Sequence, residues 1–197
     1  KIQYELSYSN SRKGRAWAGS PVLAADRTRQ HPLIIAGGPC AMNPEPLADV
    51  LDVALLGDAE AALPEFVAVF RDWKASGAER DELLKAACRI PGIYVPSLYA
   101  VRYAASGEIA EIAPRCADAP ERIARRIEPD LNAAAYLAAP LVPYLKPVHD
   151  RLTLEVMRGC PGGCRFCQAG FIYRPQRERS PEKLLALAAS LLAASGY

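Results

Sequence analysis

LTLEVMRGCPGGCRFCQAG, residues 152–170, decides how this chain is read. Leu152 to Met157 alternates apolar and polar side chains like a half-buried strand and runs straight into Arg158-Gly159-Cys160. Cys160, Cys164 and Cys167 then follow with the spacing C-x3-C-x2-C, and Phe166 stands immediately before the last of them. Three thiolates this close can cap three irons of a cubane iron–sulfur cluster and leave the fourth iron without a protein ligand. Gly159, Gly162 and Gly163 suit a backbone that folds tightly with few side chains in the way. Downstream, Ser180-Pro181-Glu182 predicts a helix start: a Ser cap, Pro at the first position and an acid near the positive end. The helix runs through Leu184, Leu187, Leu191 and Leu192 to Ser195, with Gly196 to close it. The cysteines therefore lie on a strand-to-helix loop, at the carboxyl end of what would be the first strand of a βα barrel.

Working upstream, two short apolar runs end in glycine. Pro32 to Ala36 stops at Gly37-Gly38, and Val53 to Leu56 stops at Gly57-Asp58, as buried parallel strands do. Residues 43–51 between them read as a short helical stretch opened by Asn43-Pro44-Glu45-Pro46. Leu63, Phe66, Val67 and Phe70 fall on one helix face, with Pro64 in the first turn. Strand, glycine turn, helix, repeated, is the rhythm of a doubly wound sheet. Residues 76–149 read as a connector. It carries a helix over Asp81–Cys88, a strand at Ile93–Val95 and a hairpin turning at Ser106-Gly107, then a proline-rich linker anchored by Leu141, Val142 and Leu145. The domains expected are 1–75 (α/β), 76–149 (connector) and 150–197, the start of a core cut short.

Composition excludes several classes. Apolar residues make up 51% and charged ones 23%, and 24 Lys plus Arg stand against 22 Asp plus Glu. A net charge of +2 gives no reason to invoke nucleic acid or a membrane surface, and no apolar run approaches a membrane span. Cys40, Cys88 and Cys116 are scattered, so the six cysteines do not form a secreted disulfide framework. A reducing, cytoplasmic compartment is expected.

The stretch 158–182 resembles a bacterial radical S-adenosylmethionine (SAM) family with a cobalamin-binding-like N-terminal domain and an uncharacterised reaction. GGPCAMNPEPLADVLDVALLGDAE (37–60), GIYVPSLYAV (92–101) and LVPYLKPVHDRLTLEVMRGC (141–160) match that family's pattern in the same order. The resemblance implies an α/β fold: the C-terminal part of a flavodoxin-like, cobalamin-binding-like parallel sheet, a connector, and the first βα unit of a partial TIM-type barrel. It implies that Cys160, Cys164 and Cys167 ligate a [4Fe-4S] cluster whose open iron chelates SAM, with Phe166 packing near the adenine. One electron would then split SAM into methionine and a 5′-deoxyadenosyl radical, which abstracts hydrogen from an unknown substrate. A flavodoxin or ferredoxin-type donor is expected to supply the electron.

Gly37, Gly38 and Gly57 resemble glycine turns that border the nucleotide tail of cobalamin, although glycine also ends parallel strands without a ligand. His31 and His149 do not fit an Asp-x-His-x-x-Gly signature for base-off cobalamin, so cobalamin-dependent methyl transfer stays an alternative to plain hydrogen abstraction. A non-catalytic metal module, zinc or iron–sulfur, is the other alternative. A zinc site needs a fourth ligand from His149, Cys40, Cys88 or Cys116, none at a usual spacing. Arg174, Arg177 and Arg179 read as a charged surface or a salt-bridge set with Glu178 and Glu182, and His149-Asp150 is assigned no chemistry. Two departures stand out. Ser11 to Ser20 lacks the apolar helix face expected there, and only residues 168–197 follow Cys167. The glycine turn that would hold SAM's amino group is therefore not present. The chain reads as the middle of a longer enzyme, with no turnover expected of it alone.

Overall fold

The computed structural model describes residues 14, 19–141, 144–145 and 151–195. Expectations placed on residues 11–13 and 15–18, on Val142, on His149-Asp150 and on Gly196 lie outside them. The chain divides into two compact units, Lys1–Ile127 and Glu128–Tyr197.

A three-stranded mixed sheet organises the first unit. β1 (Ile35–Ala36) and β2 (Val53–Leu55) are parallel, with Ile35 opposite Val53, and β3 (Ile93–Tyr94) completes the order β1-β2-β3. β3 runs antiparallel to β2, with Leu55 opposite Ile93. The cause is the number of crossings between them. Helix α1 (Ala59–Ser76) carries the chain back from the carboxyl end of β2, and a second helix, α2 (Arg80–Ala87), returns it. β3 therefore starts beside Leu56, whose N–H donates to the Gly92 carbonyl at 2.7 Å. Of the expected doubly wound sheet, the parallel β1–β2 pair and the helices after β2 are present. The stretch after β1 forms 3-10 turns at Pro39–Met42 and Glu45–Leu47 rather than a helix.

Both faces of β2 are covered, as its unbroken apolar run requires. Val53 and Leu55 point to a cluster with Phe66, Leu84, Ile93 and Val95, while Ala54 and Leu56 point to one with Ala41, Tyr94, Tyr99 and Ala119. The buried side of α1 is not the stripe that the spacing suggested. Ala62 and Phe66 are buried with Val69 and Phe70 packed beside them, whereas Leu63 and Val67 are 43% and 44% exposed. Spacings of 4, 7 and 8 residues also define one helix face, and the sheet selected it. Because α1 begins at Ala59, Pro64 lies in its second turn and not its first. β4 (Tyr99–Tyr103) and β5 (Ile109–Pro114) form an antiparallel hairpin with a register shift between Arg102 and Tyr103.

An ion cluster beneath the sheet ties residues 20–34 to it. The Asp52 carboxylate, 3% exposed, meets Arg27 at 2.7 Å and Arg80 at 2.9 Å, and also accepts from the Ile34 N–H at 2.7 Å.

In the second unit, β6 (Met157–Arg158) pairs antiparallel with β7 (Arg177–Glu178), and α3 (Ala169–Ile172) is a single turn. Helix α4 (Pro181–Ser195) buries Leu187 and Leu191, and the Ser180 hydroxyl caps it by accepting from the Lys183 N–H at 3.2 Å. The strand expected from Leu152 is thus confined to its last residues. β6 takes β7 as its partner across the cysteine loop, an antiparallel pairing that needs no helical crossover. No helix among the described residues is long and apolar enough to cross a membrane.

Candidate metal centre

β6 and β7 form the neck from which the cysteine loop projects. Its entry is Gly159, at φ +97°, where a Cβ would lie 2.7 Å from each of Gln176 Cα, Pro175 O and Tyr173 O. The outgoing segment is pressed against the incoming one at that point, and only glycine leaves room. Beyond it, Cys160 is half-buried, Cys164 exposed and Cys167 half-buried, and all three are free thiols. A Cβ on Gly162 would meet the Cys160 sulfur at 3.4 Å and the Cys164 sulfur at 3.6 Å, so these two sulfurs flank one point. The Cys167 N–H donates to the Cys164 carbonyl at 3.1 Å, which turns the chain back after Phe166. The Cys167 sulfur is not among the atoms within 4 Å of that point, and no three His, Cys, Asp or Glu side chains among the described residues form a metal-holding group.

Gly163 has nothing within 4 Å of where its Cβ would be, whereas Gly170, in α3, presses on the Gly162 carbonyl oxygen so closely that any side chain would overlap it. Gly170 had no local sequence signal, because its constraint is a contact eight residues back. Phe166 is 92% exposed on the loop.

The neck is clasped by charge. The Glu155 carboxylate takes Arg158 Nε at 2.7 Å and Arg158 Nη2 at 3.1 Å, and also Arg179 Nη2 at 3.0 Å. Arg179, 3% exposed, donates to the Leu131 carbonyl and lies 5.0 Å over the Tyr136 ring. The Tyr136 hydroxyl, in turn, donates to the Thr153 carbonyl at 2.8 Å. Arg177, 8% exposed, donates to the Glu128 carbonyl at 2.7 Å. The expectation of a solvated arginine set thus holds only for Arg174, which is exposed with its guanidinium 6.0 Å over the Phe171 ring. Arg177 and Arg179 are buried, and Arg179 pairs with Glu155 rather than Glu178 or Glu182.

Hydrogen bonds from Arg158, then from Arg179, hold the Glu155 carboxyl below its ordinary range. A lowered folded value means that the clasp contributes fully above the ordinary glutamate value of about 4.3 and is lost as pH falls through that lowered value. The protection of the Arg179 amide relative to its intrinsic exchange rate, with its N–H donating to the Val156 carbonyl at 2.9 Å, is therefore expected to be high at neutral pH and to fall as the pH drops through the lowered Glu155 value. In Glu155→Gln the exchange should be faster at neutral pH and lose this acid step. An unchanged acid step in the variant would remove Glu155 from the account.

Elsewhere, Cys88 is buried and donates to the Lys85 carbonyl at 3.1 Å; burial first, then Cys116 and Asp118, push its thiol up. A cleft of about 390 Å³ in the first unit, between Arg29, His31, Phe70, Trp73 and Lys74, contains none of the cysteines. Gly37, Gly38 and Gly57 lie just past the carboxyl ends of β1 and β2, with open space at Gly38 and the backbone of Arg126 against Gly57.

Residues 1–96 match the family model for the N-terminal region of radical SAM proteins. That match supports a radical SAM family. It falls outside the cysteine loop, so the two observations are independent. The chain is also 28% identical over 190 residues to an uncharacterized protein of Methanocaldococcus jannaschii, an alignment covering 95% of this chain. It spans 33% of that protein's length. No solved structure matches.

Proposed function

We propose that this chain is part of a radical SAM enzyme in which Cys160, Cys164 and Cys167 ligate a [4Fe-4S] cluster and leave one iron open to SAM. The observation that carries this reading is the C-x3-C-x2-C loop, with the Cys160 and Cys164 sulfurs flanking Gly162. The radical SAM match over residues 1–96 supports it separately.

The donor set fits. All three thiols are free and at least partly accessible, and three cysteine sulfurs at this spacing suit iron–sulfur chemistry better than a closed zinc site, which takes four ligands. Bound there, the cluster supplies a low-potential electron for reductive cleavage of SAM. The chain's own residues position it. Gly162 leaves the space between two sulfurs unfilled, and Gly159 lets the loop leave the neck at a sharp angle. Glu155, Arg158 and Arg179 hold β6 and β7 together, so Cys160 starts from a fixed backbone. Phe166 offers an unobstructed ring face for the SAM adenine. The electron is assigned to a flavodoxin or ferredoxin-type donor. Free thiols throughout the described residues agree with the cytoplasm.

Single Cys160→Ser, Cys164→Ser and Cys167→Ser variants, reconstituted without oxygen, test the ligand set. Each is expected to lose most of the iron and sulfide that the unaltered chain takes up. Full iron retention in any one of them removes that cysteine from the set.

A further inference from the structure

In open α/β sheets a nucleotide-like cofactor lies in the crevice beyond the carboxyl ends of the parallel strands. Cobalamin bound through Gly37 and Gly57 needs that edge to be open. At Gly57 it is filled from within the chain. The Arg126 N–H donates to the Leu56 carbonyl at 2.7 Å, and the Asp58 N–H donates to the Arg126 carbonyl at 2.9 Å. Together they make a parallel bridge between Gly57 and Arg126 that extends the ladder past the end of β2.

The fit is close on both sides. Gly57 is at φ +106°, and a Cβ there would lie 2.7 Å from the Arg126 nitrogen and 2.9 Å from its carbonyl carbon. At Gly92, which leads into β3, a Cβ would lie 2.9 Å from Arg126 Cβ and 3.1 Å from its nitrogen. Outside, the Arg126 guanidinium meets Glu65 of α1 at 2.8 Å. His31, the one described histidine, precedes β1 and accepts from the Thr28 N–H at 3.0 Å.

We infer that the backbone around Arg126, and not the nucleotide tail of cobalamin, is the resident occupant of the crevice at Gly57. The two glycines serve a close approach of the chain to itself. Arg126, whose sequence neighbourhood reads as a solvated helix face, closes the sheet edge with its backbone. The residues at Gly57 do not fit cobalamin, so there the sheet edge serves as a scaffold for the chain around Arg126 and cobalamin-dependent methyl transfer has no seat at Gly57.

Hydroxocobalamin titration and amide hydrogen exchange on the full chain test this together. The expected result is no visible-spectrum change in tenfold molar excess, with the Arg126 and Asp58 amides exchanging on the order of 100-fold slower than free peptide. Arg126→Pro removes the donor to Leu56 and is expected to release Asp58, speeding its exchange at least about tenfold. Gly57→Ala, whose methyl overlaps Arg126, should expose both amides. Saturable uptake of one hydroxocobalamin per chain overturns the inference. So does rapid exchange at Arg126 in the unaltered chain, or undiminished Asp58 protection in Arg126→Pro.

Discussion

Asp52→Ala is expected to lower the unfolding free energy of the first unit by about 3–5 kcal/mol, the usual cost of removing one partner from a buried ion pair. Asp52 is 3% exposed and is the counterion of two arginines, Arg27 at 2.7 Å and Arg80 at 2.9 Å. Both arginines also spend N–H groups on backbone carbonyls. Arg27 donates to Pro21, Val22 and Val50, and Arg80 to Thr28, His31 and Pro32. Those bonds survive the substitution, but two buried positive charges would be left with no negative one. The Ile34 N–H, which leads into β1, loses its acceptor as well. Asp52→Asn keeps the shape and one acceptor and should fall between alanine and wild type. Urea unfolding followed by far-UV circular dichroism measures the difference, and a fall of roughly 10 °C or more in Tm should accompany it. A change under about 1 kcal/mol for alanine would mean that the arginines are satisfied without Asp52.

Gly159→Ala is expected to have the largest effect on the site itself. A residue with a side chain at φ +97° costs on the order of 1–3 kcal/mol in strain. Here the methyl also meets three backbone atoms of residues 173–176 at 2.7 Å, none of which can rotate away. The neck must open, so Cys160 moves off its fixed start. Iron and sulfide uptake after reconstitution should fall at least about tenfold, with far-UV circular dichroism nearly unchanged, because relief of this strain is local. Gly163→Ala is the matched control, with nothing within 4 Å of its Cβ position. It should keep wild-type uptake and stay within about 0.5 kcal/mol in stability, as surface substitutions do. Equal losses in both variants would contradict the geometry of the neck.

Much of the fold was legible where its signals are local. The apolar run 53–56 reads as a strand buried on both faces and is one, whereas the run 32–36 yields the parallel strand β1 with Ile35 42% exposed, and Ser180-Pro181-Glu182 carries its helix start in adjacent residues. The structure departs from the sequence reading where distant residues decide. Asp52 meets Arg27 and Arg80, each more than twenty positions away, and no periodicity encodes such a pair. The reversal of β3 depends on α2 being a second crossing, and the length of a helix does not state its direction. On α1, two overlapping apolar faces were available, and the sheet took Ala62 and Phe66 over Leu63 and Val67. At the site, the three cysteines stand out by spacing alone, since no common fold motif needs them. Glu155 was hidden, because a lone acid in an alternating strand reads as its wet face, while its partner Arg179 sits 24 residues on, across the loop. Gly57 was legible only as either a ligand turn or a plain strand end, because a glycine that admits a phosphate and one that admits another stretch of backbone look identical in sequence.

The most direct test of the central claim is electron paramagnetic resonance of the reduced, anaerobically reconstituted chain, with and without SAM, alongside iron, sulfide and zinc content. The account predicts about four irons and four sulfides per chain and a reduced-cluster signal that SAM shifts. Stoichiometric zinc without iron, or no bound metal at all, would contradict it.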